Sequence, residues 1–405
     1  MISISQAEDL IEEHCPSRQS TYLPISSCSN RITTEDITAR QDSPTATNSA
    51  MDGFAIRKTD LDTTENRQQI LKITGESRAG APFHGNIPSG NCIRINTGAL
   101  LPSNLDTVIP IENILKEENG NIFIQSNLSK NDYLRRQGEE FKQGDLLLPS
   151  GTKLYPTHIA LLASQGITEV SVYTGPRISI LTSGDELIPF HQSAASHQVR
   201  DTNSIMLLTA IETLGGIPAI SNSTSDTLNK TVEVIKSSAT ECSILITCGG
   251  VSVGPHDYIR EAAGLAGFKE VFWRVKQKPG KPLLFAKKDN SLLFGLPGNP
   301  VSAYMCFIHY VKPLLRYLLG EPLGRPFIQA ELSENITNHL ERSHMCRVRL
   351  EKQTDSIPAA HPLNNQASHK LLSILEADGY FIINSGQELQ QGTFINVHPF
   401  QEDQQ

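Results

Sequence analysis

The sequence predicts a multidomain protein in which an α/β domain, with a mostly parallel sheet covered by helices, accompanies β-rich domains. Three observations lead to this prediction. Between residues 175 and 324, apolar strand-like runs alternate with segments of helical periodicity. Residues 80–113 and the chain beyond residue 325 instead contain short apolar segments separated by turn residues, which is typical of β structure. A chain of 405 residues is also longer than one ordinary hydrophobic core.

The strands and helices of residues 175–324 follow one another in a regular order. The predicted strands are 177–181, 217–220, 243–247, 271–273 and 292–294, and the predicted helices are 203–214, 226–240, 258–265 and 300–319. Asn203 is a candidate cap of the first helix, which Gly215 and Gly216 would end. This alternation is the pattern of a sheet with parallel neighbours.

The remaining segments give weaker structural signals. Ser5 and Glu8 have the spacing of a capping box at the start of an N-terminal helix, and residues 155–166 form a second apolar helical segment. Residues 320–326, rich in glycine and proline, predict a linker. Beyond this linker we expect a β-barrel-like module with strands at 327–332, 346–350, 380–383 and 394–397.

Composition and charge argue against several classes of function. The net charge of −8 argues against nucleic acid as a partner, because duplex binding depends on a broad basic surface. The seven scattered cysteines, without a C-x-x-C pair, predict neither a disulfide framework nor a cysteine metal site. No signal peptide pattern and no apolar run of membrane-spanning length are found, so we expect a cytoplasmic protein.

A glycine-rich segment, residues 248–257, follows the third predicted strand. Gly249, Gly250 and Gly254 allow backbone N–H groups to turn inward around an anion. The carboxylate of Asp257 could hold a cation beside that anion. The segment is therefore a candidate phosphate-binding loop, and a purely structural tight turn is the alternative.

Further candidate ligands follow the neighbouring strands, at the edge where parallel sheets bind ligands. Glu186 and Asp226 are carboxylates of the kind that Mg²⁺ prefers, although Asp226 could equally cap a helix. Asn299 and Pro300 suit the N-cap and first position of the last helix, whose N-terminus is a second anion site. The turn 278–282 adds two lysines, and together these features predict a phosphorylated ligand with a divalent cation.

Motifs along nearly the whole chain occur in the order known from one protein family. They are Asn48–Ala55, Ile95–Ala99, Leu101–Pro102, Arg135, Gly138–Glu140, Ser183–Leu187, Asp201–Asn203, the glycine-rich segment, Lys278–Pro282 and Gly295–Ser302. With these motifs the sequence resembles the molybdopterin molybdenumtransferases, the family of MoeA and the gephyrin E domain.

The resemblance implies four domains. Residues 1–24 together with 140–174 would form a discontinuous helical linker domain, and residues 25–139 an inserted β-rich domain. Residues 175–324 would form a three-layer α/β/α molybdopterin-binding domain, and residues 325–405 a C-terminal β-barrel domain.

The resemblance also implies a reaction, the Mg²⁺-dependent insertion of molybdate into adenylylated molybdopterin with release of AMP. The residues that match the family's catalytic positions are Asp52, Thr97, Glu186, Lys278 and Lys281. Those that match its cofactor-binding positions are Ser183, Gly184, Gly249, Gly250, Ser252, Gly254, Pro297, Asn299, Pro300, Arg347 and Ser368. The metal positions correspond to Glu186, Asp226 and Asp257.

Roles and partners follow from the same resemblance. The glycine-rich loop would bind the pterin phosphates, and molybdate would be held by Lys278, Lys281, Arg347 and Ser368. Asp52 and Thr97 would act in the site of the partner subunit, because the family is dimeric. The implied partners are a second copy of the chain, a molybdopterin adenylyltransferase and molybdoenzyme-maturation proteins, and neither nucleic acid nor a membrane is expected.

Two departures from the family pattern and two other functions stay open. Glu140 stands where the family has aspartate, and His369 replaces a glycine after Ser368, where it would narrow the molybdate pocket. A non-catalytic molybdopterin carrier or scaffold on the same fold is the main alternative function. A pyrophosphate hydrolase of other specificity is the second, since anion loops recognise phosphates better than pterins.

Overall fold

The computed structural model describes residues 1–61, 68–125, 131–224, 227–252, 254, 257–352 and 357–401. The chain divides into two compact units. The first comprises Met1–Leu23, Asn30–Thr34 and Ser171–Gln405, and the second comprises Pro24–Ser29 and Glu35–Val170. The division into four domains stays a prediction. Within the described ranges, no helix has both the length and the apolar character needed to cross a lipid bilayer.

A six-stranded sheet forms the centre of the first unit. Its spatial order is Ile217–Thr224, Arg177–Ser183, Ile244–Cys248, Ser291–Leu296, Leu284–Lys288 and Lys269–Trp273. The first four strands pair in parallel, and only Leu284–Lys288 runs antiparallel to its two neighbours, which confirms the mostly parallel sheet. Pro218 is tolerated because its strand lies at the edge, where a missing N–H breaks no ladder bond. The Leu284–Lys288 strand was missed, although an apolar run before the turn at 289–290 is a hairpin signal.

Helices cover both faces of this sheet, as the sequence predicts. The helices of the first unit are Ile4–Glu13, Asn203–Leu214, Leu228–Glu241, Ile259–Leu265, Pro300–Cys306, Lys312–Leu318 and the short Leu372–Leu375. Leu207 and Ile211 pack with Ile178 on one face, and Ile235 packs with Leu245 on the other. The helix predicted over 300–319 is interrupted by a π-helical turn at Phe307–Val311.

Two capping predictions were wrong. The N-terminal capping box is made by Ser3 and Gln6, not by Ser5 and Glu8, because the helix begins at Ile4. The Asn203–Leu214 helix has Asn203 as its first helical residue instead of its cap, although it ends at left-handed Gly215 as predicted. The side chains of Glu8 and Asn203 are therefore available for other contacts.

The C-terminal part of the first unit contains a closed five-stranded barrel. Its strands are, in spatial order, Ser343–Glu351, Ala359–Pro362, Ile328–Leu332, Phe394–Pro399 and Gly379–Ile383, and the last pairs again with the first. Buried Ala330, Val348, Phe381 and Val397 fill its interior. The predicted β-barrel is confirmed, and Ala359–Pro362 is an additional strand.

The second unit is rich in β structure. Its main sheet has the order Thr107–Pro110, Gly53–Ile56, Asn91–Ile95, Gln68–Ser77, Asn121–Gln125 and Ile114–Glu118. Two short antiparallel pairs join Ile37–Thr38 to Leu146–Leu148 and Asn48–Ser49 to Leu134–Arg135, and one helix covers Pro156–Ser164. Phe54 and Ile56 are fully buried in the core of the main sheet.

A buried polar network connects the N-terminal helix of the first unit to the barrel. His309, in the π-helical turn, has no exposed surface; its Nε2 lies 2.9 Å from Glu8 Oε1 and its Nδ1 lies 2.6 Å from the Tyr380 hydroxyl. Arg325 Nη1 lies 3.2 Å from the same Glu8 oxygen. Burial lowers the pKa of His309 to about 4, so the imidazole is neutral at neutral pH.

Acidification should destabilise the first unit through His309. The unfolded chain titrates this histidine near pH 6.5, whereas the folded chain does so near pH 4. The unfolded state therefore binds more protons between these values, so this contribution to stability is complete above pH 6.5 and is lost as the pH falls. The expected loss is roughly 1 kcal/mol between pH 7.5 and 5.5. The measurement is urea unfolding followed by the fluorescence of Trp273, the only tryptophan.

The variant His309→Gln isolates this effect. It should be less stable than the wild type at pH 7.5, because the contacts of the imidazole with Glu8 and Tyr380 are lost. It should also lose less stability than the wild type on acidification. His84→Gln, which changes an exposed imidazole, should retain the acid sensitivity of the wild type. An undiminished acid sensitivity in His309→Gln would contradict the assignment.

Candidate functional site

A cleft of about 540 Å³ lies at the carboxyl ends of the parallel strands of the first unit. Parallel α/β sheets bind ligands at this edge. Ten of the residues predicted for the site line the cleft: Ser183, Gly184, Glu186, Gly249, Gly250, Ser252, Asp257, Pro297, Asn299 and Pro300. The structure therefore brings together loops that follow three neighbouring strands.

The glycine-rich loop lies against its neighbours so closely that side chains are excluded. Gly249 and Gly250 have φ values of +88° and +64°. A Cβ on Gly249 would lie 2.8 Å from the Ser183 carbonyl oxygen, and one on Gly250 would lie 2.9 Å from Ile259. The Gly249 N–H donates to the Leu296 carbonyl at 3.1 Å, so this donor stabilises the loop and is not directed at a ligand. The loop is thus both a tight turn and a wall of the cleft.

Trp273 holds the glycine-rich loop from behind. Its indole Nε1 donates to the Val251 carbonyl oxygen at 2.9 Å. The guanidinium groups of Arg260 and Arg274 lie 4.1 Å and 4.0 Å from the centre of the indole ring. These cation–π contacts limit movement of the indole ring. Because the ring is hydrogen-bonded to Val251, they also restrain the loop.

Two of the predicted metal ligands line the cleft. Asp257 Oδ2 accepts a hydrogen bond from the Gly254 N–H at 2.6 Å, so this side chain also closes its own turn. Glu186 is exposed, and its carboxylate lies against Gly184, where a Cβ would be 2.8 Å from Oε2. Asp226, the third predicted metal ligand, lies outside the described residues.

The two carboxylates suit a metal ion that binds together with a phosphorylated ligand. In the part of the chain that the structure describes, no group of three or more His, Cys, Asp or Glu side chains could hold a metal ion. Mg²⁺ is usually held by one or two protein carboxylates together with substrate phosphates. Glu186 and Asp257 on the wall of the cleft fit that mode.

The turn 278–282 is fixed to the last helix by a buried glutamine. Gln277 Nε2 donates to the Gly280 carbonyl at 3.1 Å, and the Tyr310 hydroxyl donates to its Oε1. A Cβ on Gly280 would lie 2.3 Å from Cys306 Sγ. Lys281 is exposed beside Pro282, which lines the cleft, and Lys278 is half-buried. Neither lysine itself lines the cleft.

Arg347 is a fully buried guanidinium with unused donors. Its Nη2 donates to the Asn365 carbonyl at 3.2 Å, but Nε and Nη1 have no hydrogen-bond partner among the described residues. Burial lowers the pKa of Arg347, although an arginine stays charged at neutral pH. A buried charged donor without a partner is costly, so these two nitrogens indicate a site for an oxyanion.

The loop that carries Ser368 links Arg347 to the cleft. Asn299 Nδ2, on the cleft rim, lies 3.5 Å from Ser368 Oγ, three residues beyond Asn365. His344 Nε2 is also buried without a partner among the described residues. Burial, and then the positive charges of Lys278 and Arg347, lower the pKa of His344 to about 4. The region around Arg347 and Ser368 therefore combines positive charge with a neutral imidazole.

Within the second unit, Asp52 and Thr97 form a pair. Asp52 Oδ1 accepts hydrogen bonds from the Thr97 backbone N–H at 2.7 Å and from its hydroxyl at 3.1 Å. These bonds lower the pKa of Asp52. Glu140 Oε2 accepts from the Ser43 hydroxyl at 2.7 Å, so the longer carboxylate is accommodated by a contact with a distant segment of the chain.

Several cleft residues were not among the predicted site residues. Arg200, Asp201, Thr202 and Asn203 also line it. Asp201 accepts from the Thr182 hydroxyl at 2.8 Å and from the Ser204 N–H at 3.0 Å, so it joins the end of one strand to the start of a helix. Of these four residues, the sequence predicted a role only for Asn203, as the cap of the following helix.

Comparison with known proteins covers nearly all of this architecture. Residues 2–166 match the MoeA N-terminal region (domain I and II), residues 179–317 a probable molybdopterin binding domain, and residues 329–400 the MoeA C-terminal region (domain IV). The molybdopterin molybdenumtransferase of Haemophilus influenzae is 31% identical over 404 residues, which are 99% of each chain. The chain belongs to the molybdopterin molybdenumtransferase family of enzymes.

Further relatives agree with this membership. The molybdopterin molybdenumtransferase of Staphylococcus aureus (strain Mu50) is 31% identical over 338 residues, 83% of this chain and 80% of that one. A solved structure of the molybdopterin biosynthesis MoeA protein from Pyrococcus horikoshii has a TM-score of 0.83 at 25% identity, and covers 99% of this chain and 100% of that chain. The family resemblance seen in the motifs is thus confirmed.

Trp273→Phe should weaken phosphate binding by this family member. The phenyl ring keeps apolar packing but lacks the N–H that holds Val251, so the loop loses one positioning hydrogen bond. We expect roughly three- to tenfold weaker binding of pyrophosphate, measured by calorimetric titration.

Arg274→Gln is the matched control for this test. It removes one stacking guanidinium and leaves the indole hydrogen bond intact, so pyrophosphate affinity should change by no more than about twofold. Equal losses in both variants would mean that ring stacking, not the hydrogen bond, positions the loop.

Proposed function

We propose that the chain catalyses the Mg²⁺-dependent insertion of molybdate into adenylylated molybdopterin, with release of AMP. The observation that carries this proposal is the cleft, which places the glycine-rich loop and the carboxylates of Glu186 and Asp257 around one cavity. A family of molybdopterin molybdenumtransferases supplies the chemical context. The proposal assigns a phosphate end and an oxyanion end to the site.

The phosphate end is formed by the loop Gly249–Ser252 and the loop Pro297–Pro300. Both lie at the carboxyl ends of parallel strands, where backbone N–H groups and a helix N-terminus favour negative charge. The site must use such local donors, because the net charge of the chain is −8 and gives no general attraction for an anion. A phosphoanhydride bound here would lie beside both carboxylates.

Glu186 and Asp257 would hold Mg²⁺ against that phosphoanhydride. The ion supplies neutralisation of charge on the phosphate oxygens as the bond to AMP breaks. Asp257 is held in position by its bond to the Gly254 N–H, and Glu186 by its packing against Gly184. Because two protein carboxylates leave the coordination incomplete, affinity for the metal should depend on the bound nucleotide.

The oxyanion end is formed around Arg347 and Ser368, with Lys278 and Lys281 on the adjoining turn. Arg347 offers two N–H-bearing nitrogens without a partner among the described residues, and a guanidinium is a strong charge-assisted donor to an oxyanion. The neutral His344 adds no further positive charge of its own. The side chain of His369 is exposed, so it does not fill the interior beside Arg347.

In this proposal the chain's own groups act by position and charge. The glycine-rich loop and its Trp273 support orient the phosphates, and Arg347 with the two lysines orients molybdate toward the dithiolene sulfurs. All seven cysteines are free and six are buried. Burial raises the pKa of the Cys248 thiol, which disfavours the thiolate nucleophile, and no covalent intermediate is required.

The proposal extends to assembly and location. We propose a cytoplasmic homodimer in which Asp52 and Thr97 act in the partner subunit's site. The same proposal includes exchange of substrate and product with a molybdopterin adenylyltransferase and with molybdoenzyme-maturation proteins. The exposed, ionised Asp52 carboxylate, held by Thr97, is compatible with a role in binding charged groups.

Asp257→Asn should remove most of the transferase activity. The purified protein is mixed with adenylylated molybdopterin and Mg²⁺, with and without molybdate, and AMP release is followed. The wild type should release AMP only with molybdate, and the variant at least about tenfold more slowly, with a higher Mg²⁺ requirement. Glu241→Gln, at the exposed end of a helix, is the matched control and should behave as the wild type.

The other outcomes distinguish the alternatives. AMP release that does not depend on molybdate would identify a pyrophosphate hydrolase. Tight binding of adenylylated molybdopterin without any release would identify a carrier. Asp257→Asn with full activity would exclude Asp257 as a metal ligand.

A further inference from the structure

Asn203 carries a buried oxygen atom that no described residue uses. Its side chain lines the cleft and the residue is 9% exposed. Nδ2 donates to the Gly298 carbonyl oxygen at 2.8 Å, whereas Oδ1 has no hydrogen-bond partner within the described part of the chain. Because a carbonyl can only accept, the contact with Gly298 fixes which end of the carboxamide is the oxygen.

Neither helix capping nor the bond to Gly298 uses the Asn203 oxygen. The start of the helix is already capped by Asp201, whose Oδ1 accepts from the Ser204 N–H at 3.0 Å. Asn203 itself is the first helical residue. A buried acceptor left without a donor destabilises the fold, so a partner arriving from the cleft would relieve that cost.

The position of Gly298 places this oxygen beside the phosphate end. A Cβ on Gly298 would lie 3.6 Å from the Gly249 Cα, so the two loops that form the phosphate end are in contact there. Asn203 is anchored to that junction. Its oxygen, on the same carboxamide, therefore lies near the phosphate end of the cleft.

We propose that Asn203 is a specificity-determining residue whose Oδ1 accepts a hydrogen bond from a donor group of the bound nucleotide. The inference rests on the proposed function, which makes AMP a ligand of this cleft. The donor is an O–H or N–H group, and a nucleotide carries both, as ribose hydroxyls and as the exocyclic amine of adenine. Asn203 would thereby select a nucleotide over inorganic phosphates, which the glycine-rich loop alone does not distinguish.

Calorimetric titration with four nucleotides tests this assignment on the full-length protein. They are AMP and three analogues, 2′-deoxy-AMP, 3′-deoxy-AMP and IMP. Each analogue lacks one hydrogen-bond donor group of AMP. On the wild type, loss of the donor that meets Asn203 should weaken binding roughly three- to tenfold relative to AMP. Asn203→Ala should bind AMP about as weakly as the wild type binds that analogue, and should no longer distinguish the two.

Thr213→Ala is the matched control. Thr213 lies at the far end of the same helix, is exposed, and its hydroxyl donates to the Thr209 carbonyl at 2.8 Å. This variant should keep the wild-type ranking of the four ligands. Unfolding midpoints of both variants separate a loss of binding from a loss of folding.

Each outcome decides the matter. If Asn203→Ala no longer distinguishes AMP from a deoxy analogue, the donor is a ribose hydroxyl. If it no longer distinguishes AMP from IMP, the donor is the exocyclic amine. If the wild type binds all four nucleotides equally, or if Asn203→Ala loses the same factor for every nucleotide, the assignment of Asn203 is wrong. If the wild type binds no AMP, the proposed function itself fails.

Discussion

Close approach of backbone segments at the carboxyl ends of the parallel strands creates the cleft. The Gly249 Cα packs against the Ser183 carbonyl at a distance where an additional Cβ would collide, and the Gly298 loop lies within ordinary contact of Gly249. The loops can approach this closely at Gly249 only because that position lacks a side chain. The carboxylates of Glu186 and Asp257 are then carried to the same cavity by the loops that contain them. Without this packing, the proposed phosphate end and the proposed metal ligands would not share one site.

The oxyanion end depends on a different contact, between the α/β part and the barrel of the first unit. The short strand Gln277–Lys278 pairs in parallel with the barrel strand Ser343–Glu351, and Gln277 is hydrogen-bonded to Tyr310 of the long helical segment. The lysine turn is thereby fixed to the barrel on one side and to the helix on the other. Arg347 lies in the same barrel strand, so its position relative to the turn is set by strand pairing. This explains how cations from distant parts of the sequence are held near each other.

Much of the fold followed from local patterns. The parallel strands, the helices on both faces and the barrel were predicted, because apolar periodicity and turn residues report directly on burial and chain direction. The Leu284–Lys288 and Ala359–Pro362 strands were missed because each is short and depends on a neighbour for its pairing. The capping box was placed two residues late. Glu8 has the right spacing for a cap, yet its carboxylate is used by Arg325 and His309, which lie far away in the sequence.

The candidate site was predictable to the extent that glycine and proline mark its loops. Ten predicted residues line the cleft, but Lys278, Lys281, Gly254, Arg347 and Ser368 do not. Sequence could not reveal that Arg347 is buried with unused donors, that Trp273 holds Val251, or that Asn203 has a free oxygen among the described residues. Each of these properties is a relation between residues distant in the chain, and spacing alone carries no information about it.

We propose that molybdate and nucleotide bind at adjoining ends of one site. Crystals of the protein grown with AMP and molybdate, with data collected at the molybdenum absorption edge, test this claim most directly. We expect an anomalous peak between Arg347 and Ser368, with molybdate oxygens within hydrogen-bond distance of Arg347 Nε or Nη1, and with the AMP phosphate against the loop Gly249–Ser252. A peak at some other place on the molecule, with Arg347 still lacking a partner, would contradict it.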